Sequence, residues 1–337
     1  MADTPEPDVK QHRVGVIGAG NVGARVVRQL LSNDDVDCIQ VFDDAPGRAA
    51  EVVSTMGECT ETVSSPAAMD VDVVVLCTRG GSHGAYARSA IERGQHVVST
   101  GDGIPDVRDL LDLDAEARIR EVSILVGAGF APGLSCLLAR HATRYFDDVE
   151  EIHVFKAGTG GPDCARQHHA ALGGDAIDWR DGSFVDRRGR SGRELVWFPD
   201  PMGSRDCYRG ALADALLLAP LFPGVDRVTS RISATRRDRL TALLPMMRKP
   251  HADGGPGAVR VEIRGRQGNG RDVVVLGAVD HPSVAAATVA AVATDRVLDG
   301  RWGHVGARGL AGVDDSVSWL AELARRGVKA ATFEGAT

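Results

Sequence analysis

Gly18, Gly20 and Gly23 follow the run Arg13-Val14-Gly15-Val16-Ile17 in the spacing G-x-G-x-x-G. Each suits phosphate chemistry: Gly18 permits a tight turn, Gly20 lets a pyrophosphate approach the backbone, and Gly23 lets a helix lie close on its strand. Asn21 and Val22 open that helix, where unpaired N–H groups and the helix dipole favour an anion. A second apolar run, Cys38-Ile39-Gln40-Val41-Phe42, ends on Asp43 and Asp44, where a carboxylate hydrogen-bonds a ribose hydroxyl. A carboxylate there opposes a 2′-phosphate and favours NAD, while nearby Arg48 could cover that phosphate and admit NADP. Asp44 could equally be a solvated turn residue, and a glycine loop in a chain with 40 glycines could be only a tight connection. Strand, turn, helix, strand and acid in this order favour a dinucleotide site.

A second stretch, 156–169, carries Lys156, the turn Gly158-Thr159-Gly160-Gly161-Pro162, then Cys164, Arg166, His168 and His169. Hydride transfer needs a proton-shuttling group and, for an acid substrate, a cation. His169 or His168 suits the proton role because histidine titrates near neutrality. Neighbouring helical residues point about 100° apart, so at most one of the two faces a site. Lys156 and Asp102 are rival proton carriers. Gly160 and Gly161 offer backbone N–H groups to a substrate, and Arg166 or Arg205 could pair with its carboxylate through a bidentate fork. Cys164 and His168 stand four apart, too loose a pattern for zinc even with Cys207, so no metal site is expected.

The elements that must position these residues alternate. A helix is expected over 22–31 and another over 45–56, followed by a continuous apolar strand at 71–77. That strand exits at Thr78, Arg79 and His83; the strand 96–99 exits at Thr100, Gly101 and Asp102; the strand 123–126 exits at Gly129, Phe130 and Pro132. Helices over 84–93 and 107–120 lie between them. Ligands of open α/β sheets bind at such exits, so Thr78, Arg79, His83, Thr100, Gly101, Gly129, Phe130 and Pro132 are expected cofactor contacts. The pattern predicts an α/β fold with a doubly wound parallel sheet. From 148 the strands alternate apolar and polar residues, with a hairpin turn at 265–270 and helices over 208–218 and 240–247. This predicts a second, α+β domain with a mostly antiparallel or mixed sheet. The loop 198–205 could form a wall of the cleft or only a crossover. A small-residue helix over 283–298 is expected to return to the first domain, with a closing helix over 317–325. The expected organisation is therefore a disordered lead-in at 1–12, a dinucleotide-binding domain at 13–147 plus 282–337, and a substrate and dimerisation domain at 148–281.

Composition narrows the class. The net charge of −7 opposes nucleic acid and anionic membrane as partners. Hydrophobic content of 43% with 25% charged residues suits a packed globular chain and excludes a mostly disordered one. No apolar run approaches a membrane span, and the acidic, polar opening does not read as a signal peptide. The six cysteines contain no C-x-x-C pair and read as reduced thiols of a cytoplasmic protein.

The run Gly127-Ala128-Gly129-Phe130-Ala131-Pro132-Gly133-Leu134-Ser135, followed by an apolar helix, resembles the saccharopine dehydrogenase-like family of NAD(P)-dependent oxidoreductases. The opening glycine turn, the strand ending in Asp43 and the Ala/Val-rich helix ending Leu298-Asp299-Gly300 share the likeness, which covers about 13–146 and 282–327. The resemblance implies a Rossmann domain joined to an α+β substrate domain, and a homodimer is expected. It implies hydride transfer at the amine or imine carbon of a small amino-acid-like substrate. An alternative keeps the cofactor site without turnover, as a redox-sensing or regulatory nucleotide-binding protein.

Overall fold

The computed structural model describes residues 11–247, 249–328 and 330–332. Residues 1–10 of the expected lead-in lie outside these, and His12 begins the first strand, beside Val36. In chain order, β1 (His12–Ile17), α1 (Asn21–Leu30), β2 (Val36–Phe42), α2 (Arg48–Ser54) and β3 (Thr60–Thr62) come first. There follow β4 (Val73–Leu76), α3 (His83–Glu92), β5 (His96–Ser99), α4 (Ile104–Leu111), α5 (Asp114–Ile119), β6 (Ser123–Val126) and α6 (Leu134–Ala142). The middle holds β7 (Asp148–Ala157), α7 (Pro162–Gly173), β8 (Ala176–Arg180), β9 (Ser183–Arg187), β10 (Glu194–Phe198), β11 (Gly203–Tyr208), α8 (Asp214–Leu218) and β12 (Arg227–Ser233). The chain continues through α9 (Arg236–Thr241), β13 (Gly257–Gln267), β14 (Gly270–Asp280), α10 (Pro282–Leu298), β15 (Gly306–Gly309), α11 (Ser316–Arg325) and β16 (Ala330–Thr332).

The first sheet is parallel throughout, in the order β15-β6-β5-β4-β1-β2-β3. Its central strands are β-branched and buried on both faces, as helices on both sides of a parallel sheet require. The strand order reverses between β1 and β4, the place where open α/β sheets form a ligand crevice beyond the strand ends. α1 buries Val26, Val27 and Leu30 and packs along α10, whose alanines permit the close approach.

The second sheet is mixed, with the main path β10-β11-β12-β7-β13-β14-β16, while β8 and β9 branch from β12. β12 and β7 are parallel and the other pairs antiparallel. Period-two alternation puts Ile152 and Val154 on the face that α6 covers, together with Val259, Val261 and Ile263. These residues share one continuous apolar core with the first sheet, which fixes the two sheets to each other. The opposite face pairs charges across strands, with His153 beside Glu262 and Glu151 beside Arg264.

Several expectations are corrected. The helix expected over 107–120 is two, α4 and α5, broken near Asp112. Tyr208 belongs to β11, paired with Ile232, so the helix expected from 208 is only α8. A capping box between Thr235 and Asp238 starts α9 early, and the helix expected over 240–247 ends at Thr241, before Pro245. The loop 198–205 is the turn of the β10–β11 hairpin. The short strands β3, β15 and β16 were not anticipated, and β16 pairs with β14, so the last described residues join the second sheet. Among the described residues no helix is long and apolar enough to cross a membrane.

Candidate active site

The strand exits meet in a cavity of about 940 Å³ between the two sheets. At one end lies the glycine turn. Gly18 adopts φ +100°, a left-handed conformation that favours glycine, and a Cβ on Gly23 would stand 1.8 Å from the Gly18 carbonyl oxygen. Gly20 has open space where a Cβ would point. The first backbone bond of α1 runs from Ala24 N–H to Gly20 O at 2.9 Å, so the amides of Asn21, Val22 and Gly23 precede the helical ladder. This cradle fits a pyrophosphate.

Asp43 pins the turn to the end of β2. Its Oδ2 accepts the Ala19 N–H at 2.7 Å and its Oδ1 the Ala45 N–H at 2.8 Å. Each carboxylate oxygen keeps further acceptor capacity for a ribose hydroxyl. Asp44 is exposed and stands 3.4 Å from the Tyr86 hydroxyl on α3, while Arg48, Arg28 and Glu51 face the cavity. Gly18, Gly23, Asp43, Asp44 and Pro132 do not line it; Pro132 shapes the 127–135 turn from behind, accepting the Gly129 N–H at 3.1 Å.

Thr78, Arg79, Thr100, Gly101, Gly129 and Phe130 all line the cavity. His83 lines it too, but both ring nitrogens have structural partners. Nε2–H donates to Thr78 O at 3.2 Å, and Nδ1 accepts from the Ser99 hydroxyl at 2.9 Å. Burial lowers the His83 pKa, which keeps this neutral form. Buried Asp106 takes the Gly81 N–H at 2.8 and 2.9 Å and the His83 N–H at 3.2 Å, capping α3 from the start of α4. The 127–135 turn depends on Gly133, at φ +125°, where a Cβ would stand 2.1 Å from the Gly129 carbonyl oxygen. Gly133→Ala is expected to lower stability by on the order of 2 kcal/mol, read from urea unfolding.

Lys156, on β7, also lines the cavity. Its Nζ donates to Asp102 Oδ2 at 2.8 Å and to Ala131 O at 3.2 Å. The side chain of Lys156 is 6% exposed and that of Asp102 26%. Burial opposes the ammonium, but the acidic groups around it, Asp102 foremost, together hold the Lys156 pKa above the ordinary lysine range. The two rival proton carriers of the sequence are therefore one ion pair. α7 starts beside it: Gly160, Gly161, Cys164, Arg166 and Gln167 line the cavity. Burial raises the Cys164 pKa, which keeps it a thiol. Arg166 reaches Asp163 at 2.6 Å on an exposed surface. Sequence reasoning missed Gln167 as a cleft residue, although its separation of three from Cys164 puts both on one helix face.

His168, His169 and Arg205 are not brought to this cavity. They line a different cavity, of about 620 Å³, beyond α7. Ala165, His169 and Leu172 form the buried stripe of α7, and His169 Nε2–H donates to Leu244 O at 2.9 Å. His168 Nε2–H donates to Ser233 O at 3.0 Å; burial, then the Lys156 charge, push its pKa down to about 4. Arg205 donates to its neighbour's carbonyl, Ser204 O, at 3.0 Å. A histidine held neutral in the fold and free to protonate when unfolded makes the unfolded state bind more protons. Between the ordinary histidine pKa of 6.5 and about 4, stability should therefore fall as pH falls, by up to about 1.4 kcal/mol per pH unit from His168. Thermal unfolding across this window should show the slope in the native chain and a shallower one in His168→Gln.

Residues 12–100 match the model of the Gfo/Idh/MocA oxidoreductase family, described as having an NAD-binding Rossmann fold. The matched part, β1 to β5 of the first sheet, is thus an NAD-binding Rossmann fold. The chain is 26% identical over 144 residues to a 4-carboxy-2-hydroxymuconate-6-semialdehyde dehydrogenase of Sphingobium sp., covering 42% of each chain. It is 29% identical over 134 residues to a meso-diaminopimelate D-dehydrogenase of Lysinibacillus sphaericus, covering 37% of this chain and 39% of that one. The match thus spans about two fifths of the length of these curated relatives. In fold, the chain resembles the apo saccharopine dehydrogenase (L-Glu forming) of Saccharomyces cerevisiae, with a TM-score of 0.70 at 16% identity over 96% of this chain and 100% of that one. The saccharopine dehydrogenase likeness is therefore one of fold, while the matching family model is the Gfo/Idh/MocA one.

Proposed function

We propose that this chain is an NAD(P)-dependent oxidoreductase that transfers hydride at the C–N centre of a small amino-acid-like substrate, with Asp102 and Lys156 handling the proton. The observation that carries this reading is the buried Lys156–Asp102 pair at 2.8 Å, in the same cavity as the glycine turn. When bound, a nicotinamide ring takes up or returns the hydride. Oxidation of an amine requires its ammonium to lose a proton first, so that the nitrogen lone pair can form the C=N bond as hydride leaves. Asp102 is suited to accept that proton: Oδ2 is held by Lys156, and Oδ1 carries no hydrogen bond among the described residues. The Lys156 ammonium fixes the carboxylate and adds positive potential for an acidic substrate. In reduction the same pair returns the proton to nitrogen. The diaminopimelate dehydrogenase relative supports an amino-acid-like substrate.

Asp43, an acid at the end of β2 that holds the glycine turn, favours NAD, and Arg48 facing the cavity admits NADP. The reading divides the chain into a dinucleotide part at 13–147 with 282–337 and a substrate part at 148–281, with β16 the exception. It includes a homodimer, for which the exposed Leu195 and Trp197 on edge strand β10 provide apolar surface, and a cytoplasmic setting, in line with six free cysteines. Calorimetric titration with NADH and NADPH should show binding of NADH more tightly than NADPH. Amino acids with NAD, or 2-oxo acids with ammonium and NADH, should change nicotinamide absorbance. Binding without turnover on any such pair would favour the sensor instead. His168→Ala and His169→Ala are expected to keep turnover while lowering stability by about 1 kcal/mol each, through a lost hydrogen bond. A large loss of turnover at unchanged stability would return the proton role to them.

A further inference from the structure

Asn21 is the first residue of α1, and its main chain belongs to the glycine turn. Its side chain does something else. Nδ2 donates to Ala252 O at 2.8 Å and to Gly160 O at 3.2 Å. Both acceptors are carbonyls, so both amide hydrogens face the second-sheet loops and Oδ1 faces away. The two loops, 158–161 after β7 and 249–256 before β13, are locked to each other: Gly255 N–H donates to Thr159 O at 3.1 Å. A Cβ on Gly254 would stand 2.1 Å from that same oxygen, and one on Gly161 would stand 2.4 Å from Asn21 Nδ2. There is no slack in this junction, so the loops follow the amide. Gly161 is also the N-cap of α7, the helix that brings Cys164 and Gln167 to the Lys156 end of the cleft.

We propose that Asn21 is a positioning residue: its side-chain amide ties the cofactor turn to the loops that set α7, so that dinucleotide bound at the turn orders the substrate end of the cleft. The second half of this proposal rests on the reading of the cavity as a dinucleotide site. One residue thereby serves two partners, with its backbone N–H among the amides that meet phosphate and its side chain holding the loops. A space-filling role makes a different forecast. Aspartate has almost the same shape as asparagine but can only accept, so it would face two carbonyl oxygens with a charge, while remaining favourable at the start of a helix.

Hydrogen–deuterium exchange read by peptide mass spectrometry, on the full chain and on Asn21→Ala and Asn21→Asp, tests this. Without ligand, amides in 158–165 and 250–257 should exchange roughly five- to thirtyfold faster in Asn21→Ala than in the native chain, and faster still in Asn21→Asp. Peptides from β5 and β6 should be unchanged, which shows that the variants are folded. With NADH, the native chain should gain protection at 15–24 and at both loops, whereas Asn21→Ala should gain it at 15–24 alone. Equal loop exchange in all three unliganded proteins, or Asn21→Asp matching the native chain, would overturn the tie. Loop protection by NADH in Asn21→Ala equal to that of the native chain would overturn the coupling. Absence of protection at 15–24 in every protein would instead overturn the dinucleotide reading, while the unliganded comparison would still judge the tie.

Discussion

Lys156→Met is expected to lower turnover by about 10²- to 10⁴-fold, the range for general acid–base catalysis, because Asp102 loses the cation that fixes it for proton transfer, while NADH affinity stays close to native. The cation bonds Asp102 and Ala131 and no residue of the glycine turn, so its removal leaves the phosphate cradle intact. Asp102→Ala should lower turnover as severely but cost more stability. It strands an ammonium that is 6% exposed, whereas Lys156→Met leaves a carboxylate that is 26% exposed and able to reach water. Breaking a buried pair from the carboxylate side costs about 3 kcal/mol or more when the remaining charge stays buried. Urea unfolding of both variants therefore should rank Asp102→Ala as the less stable. The reverse order, or turnover within a few fold of native in either variant, would remove the pair from the chemistry.

Gly23→Ala is the second large effect. Its Cβ would lie 1.8 Å from the Gly18 carbonyl oxygen, a backbone atom inside the turn itself, so relief requires α1 to move off β1. Overpacking of this kind costs about 1–3 kcal/mol. The displaced helix also withdraws the amides that meet phosphate, so NADH affinity should fall by roughly tenfold for each 1.4 kcal/mol of lost contact. Titration calorimetry and thermal unfolding should show both losses together. Gly20→Ala makes the contrast: its Cβ meets no atom of the described residues within 4 Å, so stability should hold while the pyrophosphate is crowded. Equal affinity in all three proteins would mean that dinucleotide does not lie on this turn.

How far the sequence speaks depends on how local the determinant is. β1, the glycine turn and Asp43 were legible because each residue acts on neighbours a few positions away. Thr60–Thr62 and Gly306–Gly309 were not, since these edge strands are short, lack an apolar run, and pair only because the sheet already exists. In α7 the sequence offered two histidines but did not state which side of the helix meets the cleft. The stripe Ala165, His169 and Leu172 at helical spacing was a sign that His169 faces the core. Lys156 also left a trace: it continues the alternation of Ile152 and Val154, and a lysine on an apolar face needs a partner. That the partner is Asp102, from the exit of β5, is a tertiary fact no local pattern carries.

The central claim is that a dinucleotide spans the cavity from the glycine turn to the Lys156–Asp102 pair. A crystal structure of the chain with NADH tests it most directly. The pyrophosphate should lie against the amides at the start of α1, and the nicotinamide ring in the space bounded by 129–131, Asp102 and Lys156. A dinucleotide bound elsewhere, or a nicotinamide ring turned away from the pair toward solvent, would contradict it.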